Sequence, residues 1–284
     1  MNKLTVLANF CIDSEERFFR LKDSFFSFSK GNIDNWVINV RGNFKEQVKI
    51  FLTAHINTKI DIFFNESETG WCTDTLNLIP YIKNKVIFFW IEDHICVKDI
   101  NYFNNLVDQI YKYNIDYLLY SFFHQGKLLA KTKFIDRVSL NYFCYFDYNQ
   151  TNYNKLDLWY KKENIMHDYL ISAASFFSLD LLKKNIFISG KKFKYNRKLP
   201  FNFERSFFEK EILPFRNAIL NEELFVSIDD DHGEKGYSLI SRGQYPNRIS
   251  RNKMLDIRSK NYKIYNSGLF LRFKKWLVYK FLSK

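Results

Sequence analysis

The chain has 284 residues, 46% hydrophobic and 26% charged, enough for a sizeable core and enough to exclude global disorder. The 31 Phe and 18 Tyr against 9 Gly and 4 Pro, with many Lys, Asn and Ile, fit a coding bias and carry little functional weight. Of the formal charge of +12, residues 251–284 hold +9, from ten Lys and Arg against Asp256 alone, which leaves about +3 on the first 250 and argues against a uniformly basic nucleic-acid binder.

Leu4 opens a strand pattern over residues 4–10, with no signal-peptide segment before it. A helix is predicted over 14–29, opened by a Ser14-x-x-Arg17 cap with acids in its first turn. There follow a strand over 36–40 ending at Arg41-Gly42, a helix over 44–55, a strand over 60–64 and a helix over 73–82. Residues 86–91 form a fourth strand, so apolar that both its faces should be buried. A helix over 100–113 and a strand over 117–123 complete the alternation, which predicts an α/β fold with a mostly parallel central sheet flanked by helices. Residues 124–165 read as aromatic, Asn-rich segments with antiparallel strands or an insertion, 170–184 as a helix, and 185–250 as irregular.

Cys11, Cys72, Cys96 and Cys144 lack metal-type spacing and read as reduced core residues. No uncharged apolar run reaches the roughly 18 residues of a membrane span. The expected place is the cytoplasm, peripheral at the inner face of the cytoplasmic membrane.

The most informative segment is Phe88-Phe89-Trp90-Ile91-Glu92-Asp93-His94. A buried strand delivers two carboxylates and an imidazole at its C-terminal end, where open α/β sheets bind ligands. Adjacent carboxylates there suit hydrogen bonds to ribose hydroxyls and the holding of a divalent cation against a diphosphate. The plainer reading is a polar loop that caps the next helix.

The first strand, the helix carrying Arg20-Leu21-Lys22-Asp23-Ser24-Phe25, the further βα units and the acidic motif near residue 90 together resemble a GT-A type glycosyltransferase of the family-2 kind. The resemblance covers about residues 1–250 and rests on order and spacing. It implies transfer of a sugar from a nucleotide-sugar donor to a saccharide or lipid-linked acceptor, by inversion, in bacterial surface polysaccharide or lipopolysaccharide synthesis. The family's Asp-x-Asp motif falls where this chain has Glu92, Asp93 and His94, so either the implied Mn or Mg site uses Asp93 and His94, or His94 reads the donor, or the metal requirement is weakened or absent. Phe10 and Asp13 match the loop along the nucleotide base, while Arg41 and Asn65-Glu66 end neighbouring strands; each is also an ordinary loop residue. Trp71 is a candidate for stacking on a ring or a core tryptophan. The small residues of 171–177 resemble the approach to the donor sugar.

An inverting transferase needs a carboxylate to deprotonate the attacking hydroxyl. Glu204 is the first candidate, against a surface pairing with Arg205 or Arg197; Asp230 and Asp231, in the run Asp229-Asp230-Asp231-His232, are the others. His232 is a candidate late metal ligand, and Arg242 and Arg248 are candidates to offset the leaving diphosphate. An acidic loop of this kind is otherwise simply solvated.

Residues 251–284 form a separate basic, aromatic extension, helical over 268–282, with Leu269, Phe270, Phe273, Trp276 and Leu277 on one arc. Such a helix suits an anionic membrane surface, where each cation contributes about 1 kcal/mol; a helix docked on protein is the alternative. Two other functions remain in view. A nucleotidyltransferase is disfavoured because residues 10–16 lack glycine. A non-catalytic membrane-associated scaffold or nucleic-acid-binding protein leaves Glu92-Asp93-His94 unexplained.

Overall fold

The computed structural model describes residues 2–66, 70–119, 135–163, 169–170, 173–192, 205–206, 210–231 and 236–245. The chain divides after Val226 into two units, Met1–Val226 and Ser227–Lys284.

In the first unit, β1 (Leu4–Cys11) leads into α1 (Glu15–Phe28). Ser14 caps the helix by accepting from the Arg17 backbone N–H at 3.3 Å, Glu15 and Glu16 lie in its positive first turn, and Leu21, Phe25 and Phe28 are buried. There follow β2 (Ile33–Arg41), α2 (Lys45–His55), β3 (Lys59–Phe63) and α3 (Trp71–Leu78). The last of these tightens into a 3-10 turn at Ile79–Tyr81, where Pro80 cannot continue the α-helical ladder. Next come β4 (Val86–Phe89), β5 (His94–Cys96) and α4 (Ile100–Lys112), whose cap Asp99 accepts from the Tyr102 backbone N–H at 2.9 Å. The remaining elements are β6 (Tyr117–Leu119), β7 (Val138–Ser139), β8 (Phe143–Tyr148), α5 (Gln150–Glu163), β9 (Tyr169–Leu170), β10 (Ser175–Ser178), α6 (Leu179–Lys192), β11 (Arg205–Ser206), β12 (Phe215–Leu220) and β13 (Phe225–Ser227).

One nine-stranded sheet organises the unit, in the order β3-β2-β1-β4-β10-β6-β12-β8-β7. The β3-β2-β1-β4 half is wholly parallel, and in the whole sheet only β10 and β8 run against the other seven strands. The expected α/β fold is therefore present, with a mixed and largely parallel sheet.

Helices cover both faces. On one, Leu7, Val37, Ile87 and Phe89 pack with Trp71 and Leu78 of α3, Leu156 of α5 and Leu181 of α6. The other face is aromatic. Phe88 stacks on Phe225 at 4.6 Å and meets Phe28 edge-on at 5.1 Å, and Trp90 lies 5.3 Å from Phe28 and 6.0 Å from Trp36. Such pairs contribute about 0.5–1.5 kcal/mol each beyond the area they bury.

Three sequence expectations change, the first over 185–250, read as irregular, where α6 runs on to Lys192 and β12 joins the central sheet between β6 and β8. The helix expected over 170–184 holds strand before helix: β10 enters the sheet between β4 and β6, and only from Leu179 is the chain helical. Phe176 and Phe177 are buried on opposite faces, and a strand of four residues with two adjacent Phe is too short to show a period that distinguishes it from helix. Within 124–165, antiparallel strands are present as β7 and β8, but α5 was not foreseen. Its low apolar content hides the periodicity, and it turns only Leu156 and Tyr160 deeply inward. The basic extension over 251–284, with its expected helix, lies outside the described residues.

Gly42 has φ +90°, and a Cβ there would lie 2.4 Å from the Ile12 carbonyl oxygen. That oxygen accepts from the Phe44 N–H at 3.0 Å while the Ile12 N–H donates to Arg41 at 2.9 Å, so the chains leaving β1 and β2 are in direct backbone contact. Gly42→Ala is expected to cost about 1–3 kcal/mol. It should appear as a lower urea midpoint at unchanged m-value; an unchanged midpoint would contradict this packing.

Candidate functional site

The order β3-β2-β1-β4 places the topological switch of the sheet between β1 and β4: after β1 the chain builds outward through β2 and β3, then returns to β1's other side. The loops leaving β1 and β4 stand side by side at the carboxyl ends of the strands, where the crevice of an open α/β sheet takes its ligand, and both lead onto the aromatic face, into α1 and β5. Asp13 belongs to the first loop, Glu92 and Asp93 to the second.

The second loop is held at its root. The Trp90 N–H donates to the Leu7 carbonyl at 2.9 Å, and its indole N–H donates to Ser24 Oγ at 2.8 Å. The Ser24 hydroxyl in turn donates to the His94 carbonyl at 2.5 Å. With Trp90 fixed, the next three residues must turn within a short span before β5 begins at His94.

Glu92 is buried and forms an ion pair with Arg17 Nη2 at 3.0 Å. Burial pushes its carboxyl above the ordinary range and the neighbouring Asp93 charge adds to this, against the lowering effect of Arg17 and Arg20. Asp93 goes the other way. Burial works to raise it, but the charge and hydrogen bond of His94, whose Nδ1 lies 2.7 Å from Asp93 Oδ1, then Arg20 and Arg17, hold it down to about 2. Asp93 is therefore a fixed anion at neutral pH, with its side chain 35% exposed beside a His94 only 4% exposed.

A buried amide ladder braces the other side of the crevice. Asn39 Nδ2 donates to Asn9 Oδ1 at 3.0 Å and to the Asn65 carbonyl at 2.9 Å, while Asn39 Oδ1 accepts from the Asn65 N–H at 2.7 Å. Asn9 Nδ2 donates to the Trp71 carbonyl at 3.1 Å and Thr75 Oγ1 at 2.9 Å, and the Trp71 indole N–H returns to the Asn9 carbonyl at 3.1 Å. The ends of β1, β2 and β3 and the start of α3 are thereby tied together. Sequence reasoning missed Asn9, Asn39, Ser24 and Arg17. The available signal was an Asn interrupting an apolar strand four residues after a polar one, as in Thr5/Asn9 and Asn35/Asn39, which are paired in register.

The predicted site residues divide accordingly. Asp13, Glu92 and Asp93 stand at the crevice, with Arg41 ending β2 and Asn65 following β3. Arg41 Nε is buried without a hydrogen-bond partner among the described residues. Phe10 points into the core edge-on to Trp90 at 4.8 Å, so only its backbone is near the crevice. Trp71 is likewise a core residue with its indole N–H engaged, which removes the ring-stacking role. Glu204 and His232 lie outside the described residues.

In the second unit, Asp231 Oδ1 accepts from the Ser238 N–H at 2.7 Å and Oδ2 from the Ser241 hydroxyl at 2.6 Å. Burial opposes ionisation there, but these bonds lower its pKa, so Asp231 organises its own loop. Asp230 donates its N–H to Ser227 Oγ at 3.0 Å, and Arg242 lies over Tyr237 with Nε donating to the Gly236 carbonyl at 3.3 Å.

Among the described residues no group of three candidate metal ligands is assembled. Glu92 is engaged by Arg17 and Nδ1 of His94 by Asp93 Oδ1, so the group of the acidic motif that a cation would meet is the Asp93 carboxylate. A single carboxylate falls short of a protein-built centre, and a cation there would depend on phosphate oxygens and water. Cys72, Cys96 and Cys144 are buried and Cys11 half-buried, all four outside any disulfide. No described helix is long and apolar enough to cross a membrane.

Two outcomes follow. Asn39→Ala leaves a buried amide and both Asn65 backbone groups short of partners and is expected to cost about 2–4 kcal/mol by urea unfolding; a loss below the error of the fit would contradict the bracing role. An aspartate held below its ordinary 3.8 stabilises the fold while ionised, fully above that value, and the contribution is lost as pH falls toward about 2. The stability advantage of the parent over Asp93→Asn should therefore shrink between about pH 4 and pH 2, and a pH-independent difference would contradict it.

No protein-family model matches the sequence, and no curated protein does. Among solved structures the chain is similar to S. aureus TarS, at 13% identity and a TM-score of 0.47, over 99% of this chain and 43% of that one. It thus spans less than half of that TarS chain. TarS 1–349 in complex with UDP-GlcNAc gives 13% identity and a TM-score of 0.47 over 99% of this chain and 72% of that one, and TarS 1–349 with UDP gives 12% and 0.47 over 90% and 70%. At this level of similarity the site has to stand on its own geometry.

Proposed function

We propose that the chain is a nucleotide-sugar-dependent glycosyltransferase of the GT-A kind. The observation that carries this reading is the pair of adjacent carboxylates at the switch-point crevice, one buried against Arg17 and one held ionised beside His94. Glu92 accepts hydrogen bonds from the ribose hydroxyls, and Asp93 would hold a divalent cation, Mn or Mg, on the diphosphate side. That cation, when bound, offsets charge on the departing diphosphate. Asp13, Arg41 and Asn65 line the donor side, and the backbone at Phe10 runs along the base.

The acceptor hydroxyl attacks the anomeric carbon as the bond to the diphosphate breaks, inverting that centre, and its proton passes to a carboxylate. Glu204 comes first for this role, because Asp231 is committed to Ser238 and Ser241; Asp230 is the alternative. Arg242 and His232 are assigned to the leaving-group side. The acceptor is a saccharide or a lipid-linked saccharide, brought to the enzyme at an anionic membrane surface through the basic residues 251–284. Nucleic acid is not a partner in this reading.

The test is a thermal-shift panel of UDP-, GDP-, CMP- and dTDP-sugars with and without Mn²⁺, followed by transfer assays with the stabilising donor. A ligand that binds only the folded state raises the melting temperature by mass action. One donor class should do so, and Asp93→Asn should lower transfer by about 100-fold or more while remaining folded. Normal transfer by Asp93→Asn would remove Asp93 from the mechanism, and no stabilisation by any donor would favour a non-catalytic, membrane-associated scaffold. For the extension, deletion of residues 268–284 should release the protein from anionic liposomes and spare donor hydrolysis; unchanged liposome binding would end its membrane role.

A further inference from the structure

Arg17 stands on the first turn of α1, between the two loops that bound the crevice. Nη1 donates to the Cys11 carbonyl at 2.7 Å and lies 3.9 Å from Asp13 Oδ1, while Nη2 meets Glu92 Oε1 at 3.0 Å. One planar fork thus grips the end of β1 and the first residue of the acidic motif, which belong to opposite sides of the switch point. The guanidinium suits this because its donors diverge in fixed directions, whereas an ammonium is a point charge on a flexible stem.

The exposures of the pair are unequal, 43% for Arg17 and 9% for Glu92. A carboxylate so buried cannot take its orientation from water, and Arg17 fixes the position of one of its oxygens. Asp93 is the next residue, so a displaced Glu92 carries Asp93 with it. Arg20, one turn on, pairs through Nε with Glu16 at 3.1 Å.

We infer that Arg17 is a positioning residue that locks the loop after β1 to Glu92 and so sets the width of the crevice entered by the nucleotide. This deepens the donor-site reading and rests on it for its functional consequence. The lock itself belongs to the ligand-free protein and can be measured without any donor.

Hydrogen exchange in the ligand-free full chain, comparing the parent with Arg17→Met, Arg17→Lys and Glu92→Gln, provides the first measurement. Segments 11–14 and 90–94 contain the Ile12 and Trp90 amides, which donate to Arg41 and Leu7. Both segments should lose protection together, by about 10-fold, in all three variants, while α4 is unchanged. Unchanged exchange in either segment, or full protection in Arg17→Lys, overturns the inference, because charge alone would then suffice. The second measurement is the affinity of the donor that stabilises the parent. Arg17→Met should weaken it about 10–100-fold and should add little in the Glu92→Gln background; additive losses overturn the inference. If the loops loosen as stated and no sugar nucleotide binds the parent, the lock stands and the glycosyltransferase reading fails.

Discussion

Burial of Phe88 and Trp90 in the aromatic layer is the constraint on which the rest depends. Phe88 stacks on Phe225 and touches Phe28, and Trp90 is enclosed by Phe10, Phe28 and Trp36. Moving either ring out of this layer would open a cavity costing several kcal/mol, on the order of 3–5 for an aromatic truncation. Strand β4 is thereby pinned beside β1, and the polar residues after Trp90 emerge at one place only, the carboxyl end of the sheet. Ser24 completes the arrangement by taking the Trp90 indole N–H and donating to the His94 carbonyl, so the aromatic packing is transmitted to the loop through hydrogen bonds.

The opposite face of β1 and β2 applies a second constraint. Thr5–Asn35 and Asn9–Asn39 are polar pairs at the two ends of an apolar stretch, and both are buried. Buried amides are tolerated because they find partners, and partners with fixed directions specify a register more sharply than aliphatic packing does. At the amino end Asn35 also receives the Lys83 N–H at 3.2 Å and Thr5 the Asn84 amide at 3.0 Å, which closes the connection into β4. At the carboxyl end the same device fixes Asn65 and the start of α3. The crevice is walled by a bracing network on one side and an aromatic-backed acidic loop on the other, with Arg17 between its two rims.

The first half of the fold was legible in the sequence because each element there has a clear period and a clear stop. Ser14 with Glu15 and Glu16, Arg41-Gly42, and the apolar run into Glu92 all mark boundaries that the structure keeps within a few residues. The acidic motif was legible for the same reason, since three polar side chains after so apolar a strand have few structural explanations. What stayed hidden depends on long-range partners. Nothing local says that Phe176 and Phe177 insert antiparallel between β4 and β6, or that Phe10 and Trp71 turn inward. Arg17 reads as an ordinary helix-surface cation until Glu92, far away in sequence, is placed beside it.

The measurement that decides most directly is a crystal structure of the full chain with the nucleotide sugar that stabilises it most. The nucleotide should lie over the carboxyl ends of β1 and β4, with the Arg17–Glu92 pair kept, ribose at Glu92 and diphosphate at Asp93. The first unit also has a groove of about 430 Å³ at the amino ends of β6 and β12, lined by Asp116, Asp147 and Arg216 among others. A nucleotide bound there, with the switch-point crevice empty, would contradict the assignment of the donor site.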